Sequence, residues 1–516
     1  MNPYEISIKE AKKEIRNTLR IYLAKNEWGQ YEIPIEKQRP ILLMGPPGIG
    51  KTAILEQVAA SEGVALVSYT ITHHTRQSAI GLPVIREEEY HGETFSVTEY
   101  TMSEIIASIY DKMKKTGLTQ GILFLDEINC VSETLAPTML QFLQYKTFGT
   151  HRVPDGWIIV VAGNPPEYNR SVRDFDITTL DRLKRIDVAA DYTVWREYAY
   201  SHSIHPVILS YLDIRKDHFY QVETVIGGEQ FVTARGWEDL SRYLYACEKL
   251  ELPVTLAATH QYIQHEEIAR DFRNYYELFN KYRQHYNITA ILRGVSPDET
   301  TPEGKEILTA LAHLNNAGFD EAVSVIGLLL GQLTESFSGL HQTDETLSLV
   351  HTYLQHFRGS LASSKKNPDE LLWEQYERLD QTLRTERAAG QLTEERERLI
   401  ITALSQLSAL HQTLAGDNGD DRDMAFELVK KEFNSSVNKY QSCAADARRA
   451  LDNAFLFLER VFAGRQEMVL FVTELTLNPL AAWFVSEHGC DKFYEYNREL
   501  LIEDKKTELK KKIHEI

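Results

Sequence analysis

The chain has 516 residues, 43% of them hydrophobic, enough to bury large cores in two or three domains. Its 75 acidic against 56 basic residues give a net charge of −19, which argues against a nucleic-acid motor with a basic surface and fits a soluble protein that acts on other proteins. Four widely separated cysteines, Cys130, Cys247, Cys443 and Cys490, form no Cys-x-x-Cys pair and read as reduced thiols of the cytoplasm rather than a disulfide framework.

At the start, Met1-Asn-Pro-Tyr-Glu has no apolar signal core. Residues 4–25 then carry Ile6, Ile8, Ala11, Ile15, Leu19 and Tyr22 at helical spacing, which predicts an amphipathic helix leading into a core. An apolar strand, Ile41-Leu42-Leu43-Met44, runs directly into Gly45-Pro46-Pro47-Gly48-Ile49-Gly50-Lys51-Thr52. This is the pattern of a phosphate-binding loop. Its glycines let successive backbone N–H groups turn toward phosphates, Lys51 reaches the β and γ phosphates, and Thr52 offers a hydroxyl to Mg²⁺. The helical pattern that follows (Ala53, Ile54, Leu55, Val58, Ala59) adds its positive N-terminal end to the same anion site.

A stretch of 74 residues separates Lys51 from Asp126, more than one helix, a strand and another helix need. The excess is residues 72–103. There Gly81-Leu-Pro-Val-Ile85 and Thr94-Phe-Ser-Val-Thr98 flank a charged segment, Arg86–Gly92, and read as a hairpin insertion. His73 and His74 are adjacent, fall on opposite faces of a strand, and make no metal pair. Next, Gly121-Ile-Leu-Phe-Leu-Asp126-Glu127 is a buried-type strand ending in two carboxylates. Asp126 is placed to hold Mg²⁺ and Glu127 to polarise an attacking water as general base. A third strand, Trp157–Gly163, is followed by Asn164, an amide that orients that water or senses the γ-phosphate, or simply forms a turn before Pro165. Thr179–Val188 surrounds a short fifth strand with Arg182 and Arg185, and Phe231-Val-Thr-Ala-Arg235 opens an amphipathic helix.

From about Asn287 onward only helical patterns appear, with breaks expected near Gly339, Gly359, Gly390, Gly416 and Gly489. No catalytic motif stands in this half. Asp417–Asp423 lacks the glycine and glutamate spacing of a calcium loop and reads as an acidic helix-capping loop. The run 423–462 predicts one long bundle helix, and the Lys505–Lys512 tail a solvated helix end. The apolar segments at 468–474 and 480–485 are interrupted by Glu474, Asn478 and Pro479, so a buried helix pair is expected rather than a membrane span.

The order of these parts resembles the AAA+ ATPases, and Asp126-Glu127-Ile128-Asn129 with Gly163-Asn164-Pro165-Pro166 resembles the MoxR-like branch. The resemblance covers about residues 35–250 and implies a P-loop α/β core, a parallel sheet flanked by helices, with a helical lid; the helical patterns beyond add an all-α C-terminal region. The organisation expected is a lead-in at 1–34, the nucleotide-binding core at 35–190 with its insertion at about 72–103, a lid at 191–286 and a helical domain at 287–516. The loop residues Gly45 to Thr52 would then bind ATP, Thr52 and Asp126 would hold Mg²⁺, and Glu127 would activate water. Asn164 would be the first sensor, Arg235 the second, and Arg182 the arginine finger reaching a neighbouring subunit, with Arg185 the alternative. Two departures are Leu183, where the branch has phenylalanine, and Thr233-Ala234 before Arg235, where it has Ser-Pro. The implied activity is ATP hydrolysis in a ring, expected to be a hexamer, that remodels or matures a client, by resemblance a protein with a von Willebrand factor A domain. Rival readings are a nucleic-acid-directed motor of the McrB-like or MCM-like kind, and a nucleotide-binding switch without turnover. No base-reading motif separates ATP from GTP.

Overall fold

The structure, a computed structural model, describes residues 4–73, 81–168, 175–225, 228–390, 392–416 and 422–498. The chain falls into two units, Met1–Asp191 with Glu377–Ile401, and Tyr192–Tyr376 with Thr402–Ile516. His74, the loop 417–421 and the lysine tail lie outside the described residues.

Along the first unit run Glu5–Ser7 (β1), Ile41–Met44 (β2), Ala65–Thr70 (β3), Pro83–Tyr90 (β4), Glu93–Tyr100 (β5), Gly121–Asp126 (β6), Thr147–Phe148 (β7), His151–Arg152 (β8), Trp157–Gly163 (β9) and Lys184–Ala189 (β10). Six of them form one sheet in the order β1-β10-β2-β9-β6-β3, every neighbouring pair parallel. The side-chain period of two divides each central strand between two cores. Ile41, Leu43, Ile122, Phe124, Ile158 and Val160 face the core built with helices Ile8–Leu23 and Lys51–Glu62. Leu42, Met44, Leu123, Leu125, Ile159 and Val161 face the opposite core, built with helices Glu104–Thr116 and Ala136–Tyr145. Burial on both faces explains why these strands read as unbroken apolar runs. Gly121 opens β6 opposite Trp157, and a Cβ there would lie 2.6 Å from the indole ring, so this strand start accepts only glycine.

Helix Ile8–Leu23 is held at its start by a reciprocal capping box between Ser7 and Glu10, worth roughly 1 kcal/mol for the cap. Its buried face, Ala11, Ile15, Leu19 and Tyr22, is the stripe read from the sequence. The N-terminal segment also contains β1, which the sequence reading folded into the helix. Three residues are too few to show a period, and the pairing of Glu5–Ser7 with Asp187–Ala189 is set by tertiary contact.

The insertion is an antiparallel hairpin, but its strands are longer than expected. Arg86–Tyr90 belongs to β4, and the turn is only His91-Gly92, both with positive φ (56° and 83°), the backbone a tight two-residue hairpin demands. One face carries Val84, Phe95, Val97 and Tyr90, with an Arg86–Glu99 ion pair at 3.0 Å beside them.

Among its described residues the second unit is helical except for a hairpin, Gln221–Val225 (β11) with Gly228–Val232 (β12), in a region whose pattern predicts helices. The ranges 191–286 and 287–516, read as separate domains, both lie in this unit, apart from residue 191 and residues 377–401. Helix Phe319–Ser363 passes uninterrupted through Gly339 and Gly359, where breaks were expected. A helical glycine costs only about 1 kcal/mol, and the buried stripe Leu329, Leu333, Phe337, Leu340, Leu347, Val350, Leu354 and Phe357 outweighs it. Gly416 and Gly489 do stand at helix ends, Gly390 follows the end of helix Pro368–Ala389, and the long helix expected at 423–462 spans Arg422–Phe462. The late apolar segments form helices Gln466–Leu477 and Pro479–His488. Phe319–Ser363 is long and apolar enough to cross a membrane, and just over half of its apolar window is buried inside the unit.

Within this unit Arg196 donates to Asp213 at 2.8 Å and Glu474 at 3.0 Å. Tyr192 and Tyr200 donate to the same two carboxylates at 2.7 Å. Burial, then the Asp213 charge, pushes the Glu474 carboxyl above its ordinary range. The network ties helices Tyr192–Ser201 and Pro206–Ile214 to helix Gln466–Leu477.

Candidate nucleotide site

The sheet order brings the loop strand β2, the Asn164 strand β9 and the Asp126 strand β6 side by side, so their carboxyl ends open on one crevice. Open α/β sheets bind ligands there. The loop after β2 has a shape that glycine makes possible. Gly48 and Gly50 take φ of 75° and 92°, and a Cβ on Gly45 would stand 2.6 Å from the Val188 carbonyl oxygen of β10. Gly50 is the N-cap of helix Lys51–Glu62, and no side chain caps that helix start. Its first-turn N–H groups, with the helix dipole behind them, form an anion site.

Lys51 is 9% exposed, and its Nζ donates to the carbonyls of Gly45 (2.8 Å) and Pro46 (2.9 Å) and to Asn164 Oδ1 (2.8 Å). Three acceptors match the three N–H donors of an ammonium. The contact with Asn164 brings together two residues 113 positions apart that the sequence reading had placed in one site. Thr52 Oγ1 and Asp126 Oδ2 stand 3.5 Å apart, too far for a good hydrogen bond. They are two hard oxygens placed to share a small cation, and Mg²⁺ takes such ligands together with water and phosphate oxygens. Asp126 Oδ1 accepts from the Glu127 N–H at 2.9 Å, which leaves Oδ2 directed to Thr52.

Glu127 lies in the left-handed region (φ 57°, ψ 37°), uncommon for a residue with a Cβ. Such strain of order 1 kcal/mol persists where surrounding structure enforces it, and it clusters at active sites. Thr72 donates to Glu127 Oε2 at 3.3 Å and holds the carboxylate. Sequence reasoning missed Thr72, which follows β3 and reaches Glu127 only because β3 pairs with β6. It also gave no role to Asn129, whose Nδ2 donates to the Asn164 carbonyl at 2.7 Å. Burial, then the charges of Glu127 and Asp126, pushes the neighbouring Cys130 thiol up, which keeps it a poor nucleophile.

Arg182 and Arg185 make their contacts outside this cluster. Arg182 is exposed before β10 and donates to Gln144 at 2.6 Å. Arg185, on β10, pairs with Asp187 of its own strand at 2.8 Å. Arg235 belongs to the second unit, exposed in the first turn of helix Ala234–Leu250, whose N-cap is Thr233. Among the described residues no group of three or more His, Cys, Asp or Glu forms a further metal cluster.

Comparison with known proteins places a domain on this frame. The family model "ATPase family associated with various cellular activities (AAA)" matches residues 41–176, from β2 to beyond Asn164. No curated protein matches the chain. Among solved structures, one of PCH-2 from C. elegans is similar at 14% identity and a TM-score of 0.23, over 41% of this chain and 52% of that one. The chain thus spans about half the length of that protein.

Proposed function

We propose that the chain is an ATP-hydrolysing, MoxR-like machine that works as a ring and remodels or matures a client protein. It carries an AAA domain at residues 41–176, a domain of ATPases. The reading rests on one observation: Lys51, Thr52, Asp126, Glu127 and Asn164 converge at the carboxyl ends of three adjacent parallel strands.

In this reading Lys51 exchanges its loop carbonyls and Asn164 for the β and γ phosphate oxygens, and the first turn of helix Lys51–Glu62 receives the same phosphates. Thr52 and Asp126 hold Mg²⁺, which supplies charge neutralisation across the phosphates. Glu127, held by Thr72 and its constrained backbone, takes the proton from the attacking water. Asn164, released by Lys51, orients that water. Arg182 is the favoured finger for a neighbouring subunit's site, because Arg185 is already paired on its own strand. Arg235 is the proposed second sensor. An arginine supplied in trans explains a ring, and a hexamer is the proposed count. The four cysteines form no disulfide, which fits a proposed place in the cytoplasm. The client is proposed, on the resemblance alone, to carry a von Willebrand factor A domain.

Capture from an extract of the source organism tests the client arm. Tagged Glu127→Gln protein held in Mg-ATP is expected to enrich a specific protein that a Lys51→Ala control does not. Enrichment of nuclease-sensitive nucleic acid in its place would replace client remodelling with a nucleic-acid motor.

A further inference from the structure

Asn129 sits in the turn after β6, two residues beyond Glu127 and 3% exposed. Among the described residues its side chain has one hydrogen bond, from Nδ2 to the backbone carbonyl of Asn164, and its Oδ1 has no partner. The amide orientation is fixed by that acceptor: the flipped amide would press two oxygens together at 2.7 Å. A buried amide with half its capacity unmet is a poor choice for packing alone, where an apolar residue of the same shape avoids the cost.

The geometry around the bond shows what it does. Asn164 lies one residue past the end of β9, whose pairing with β2 stops at Gly163, so its carbonyl stands outside the strand ladder. The Asn164 carbonyl needs a donor from elsewhere, and Asn129 provides it. Space for the amide comes from Gly163, since a Cβ there would lie 2.7 Å from Asn129 Oδ1. On the other side, the Gly163 carbonyl accepts from the Gly45 N–H at 3.3 Å. The Gly163-Asn164 segment is therefore a crossbar between the phosphate loop and the carboxylate turn. Asn129 holds its backbone, and Lys51 holds the Asn164 side chain.

We infer that Asn129 is a positioning residue: through the Asn164 backbone it fixes the height and direction of the Asn164 amide relative to Glu127, and so couples the carboxylate turn to the sensor. The inference rests on the reading that this site hydrolyses ATP. Lys51 is also anchored on the Gly45 and Pro46 carbonyls, which Asn129 does not touch, so losing Asn129 should disturb water orientation more than phosphate binding.

The test is a double-variant cycle on the full-length protein, with ATP turnover and ATP affinity measured separately. Asn129→Ala is expected to lower kcat about tenfold or more while the dissociation constant for ATP stays within about threefold. Asn164→Ala should do the same, and the double variant should be no slower than Asn164→Ala alone, because both remove one function. Asn129→Leu keeps the volume without the donor and gives the same readout if the alanine variant does not fold. An unaffected kcat in a folded variant, or losses that multiply in the double variant, overturns the inference alone. Wild-type protein without any Mg-ATP turnover overturns both the inference and the function it rests on.

Discussion

Lys51 shows how one side chain organises a site before any phosphate arrives. Its ammonium is buried, and three oxygens of the surrounding loops and Asn164 satisfy it. Removing it takes away the charge that draws phosphate in and the anchor that holds Asn164 in place. Lys51→Ala is therefore expected to weaken ATP binding by at least about tenfold, read by calorimetry or fluorescent-nucleotide titration, while the fold persists. Affinity equal to wild type would place the nucleotide elsewhere. Local residues such as Gly45–Thr52 and Asp126-Glu127 were legible in the sequence because spacing along a few positions fixes their geometry. Thr72 and Asn129 were not, because their partners, Glu127 and Asn164, come near only once β3, β6 and β9 pair.

At the scale of elements, the buried strands and amphipathic helices followed from their periods, and the misreadings have physical causes. β1 is too short to show a period. The charged residues of β4 mark strand because the hairpin is solvated on both sides, so its pattern carries little burial signal. At Gly339 and Gly359, where the residue type alone predicts breaks, burial of a long stripe decides for the helix. One helix end leads to a further prediction. Helix Ala136–Tyr145 ends at Lys146, in the left-handed conformation, 6% exposed, donating to the Ile35 carbonyl at 2.9 Å. Burial, helped by Arg152, lowers its pKa from 10.5 to about 8. The folded chain thus gives up this proton at lower pH than the unfolded chain, which binds more protons between pH about 8 and 10.5. Stability from this group therefore rises with pH across that window. Compared with Lys146→Met in urea unfolding, the wild type should gain about 2–3 kcal/mol between pH 8 and 10.5. Parallel pH profiles would show that Lys146 is not held with a lowered pKa.

At the scale of the molecule, the second unit joins segments far apart in sequence. Arg196 and Glu474 are separated by 278 positions and meet in a network that no local pattern displays. The ranges 191–286 and 287–516, drawn from helical patterning and the family resemblance, both contribute to this unit. Sharing of sites between subunits belongs to this scale. If Arg182 completes a neighbour's site, mixing Arg182→Ala with Glu127→Gln subunits should restore turnover above the sum of the two alone. No rescue at any ratio would move the finger to Arg185.

The central claim, that these converging residues hydrolyse ATP with Glu127 as base, is met most directly by steady-state turnover of wild-type and Glu127→Gln protein with bound Mg-ATP quantified in both. The account predicts measurable wild-type hydrolysis, a loss on the order of 10²–10⁴ in the variant, and unchanged binding. Equal turnover in the two proteins would contradict it.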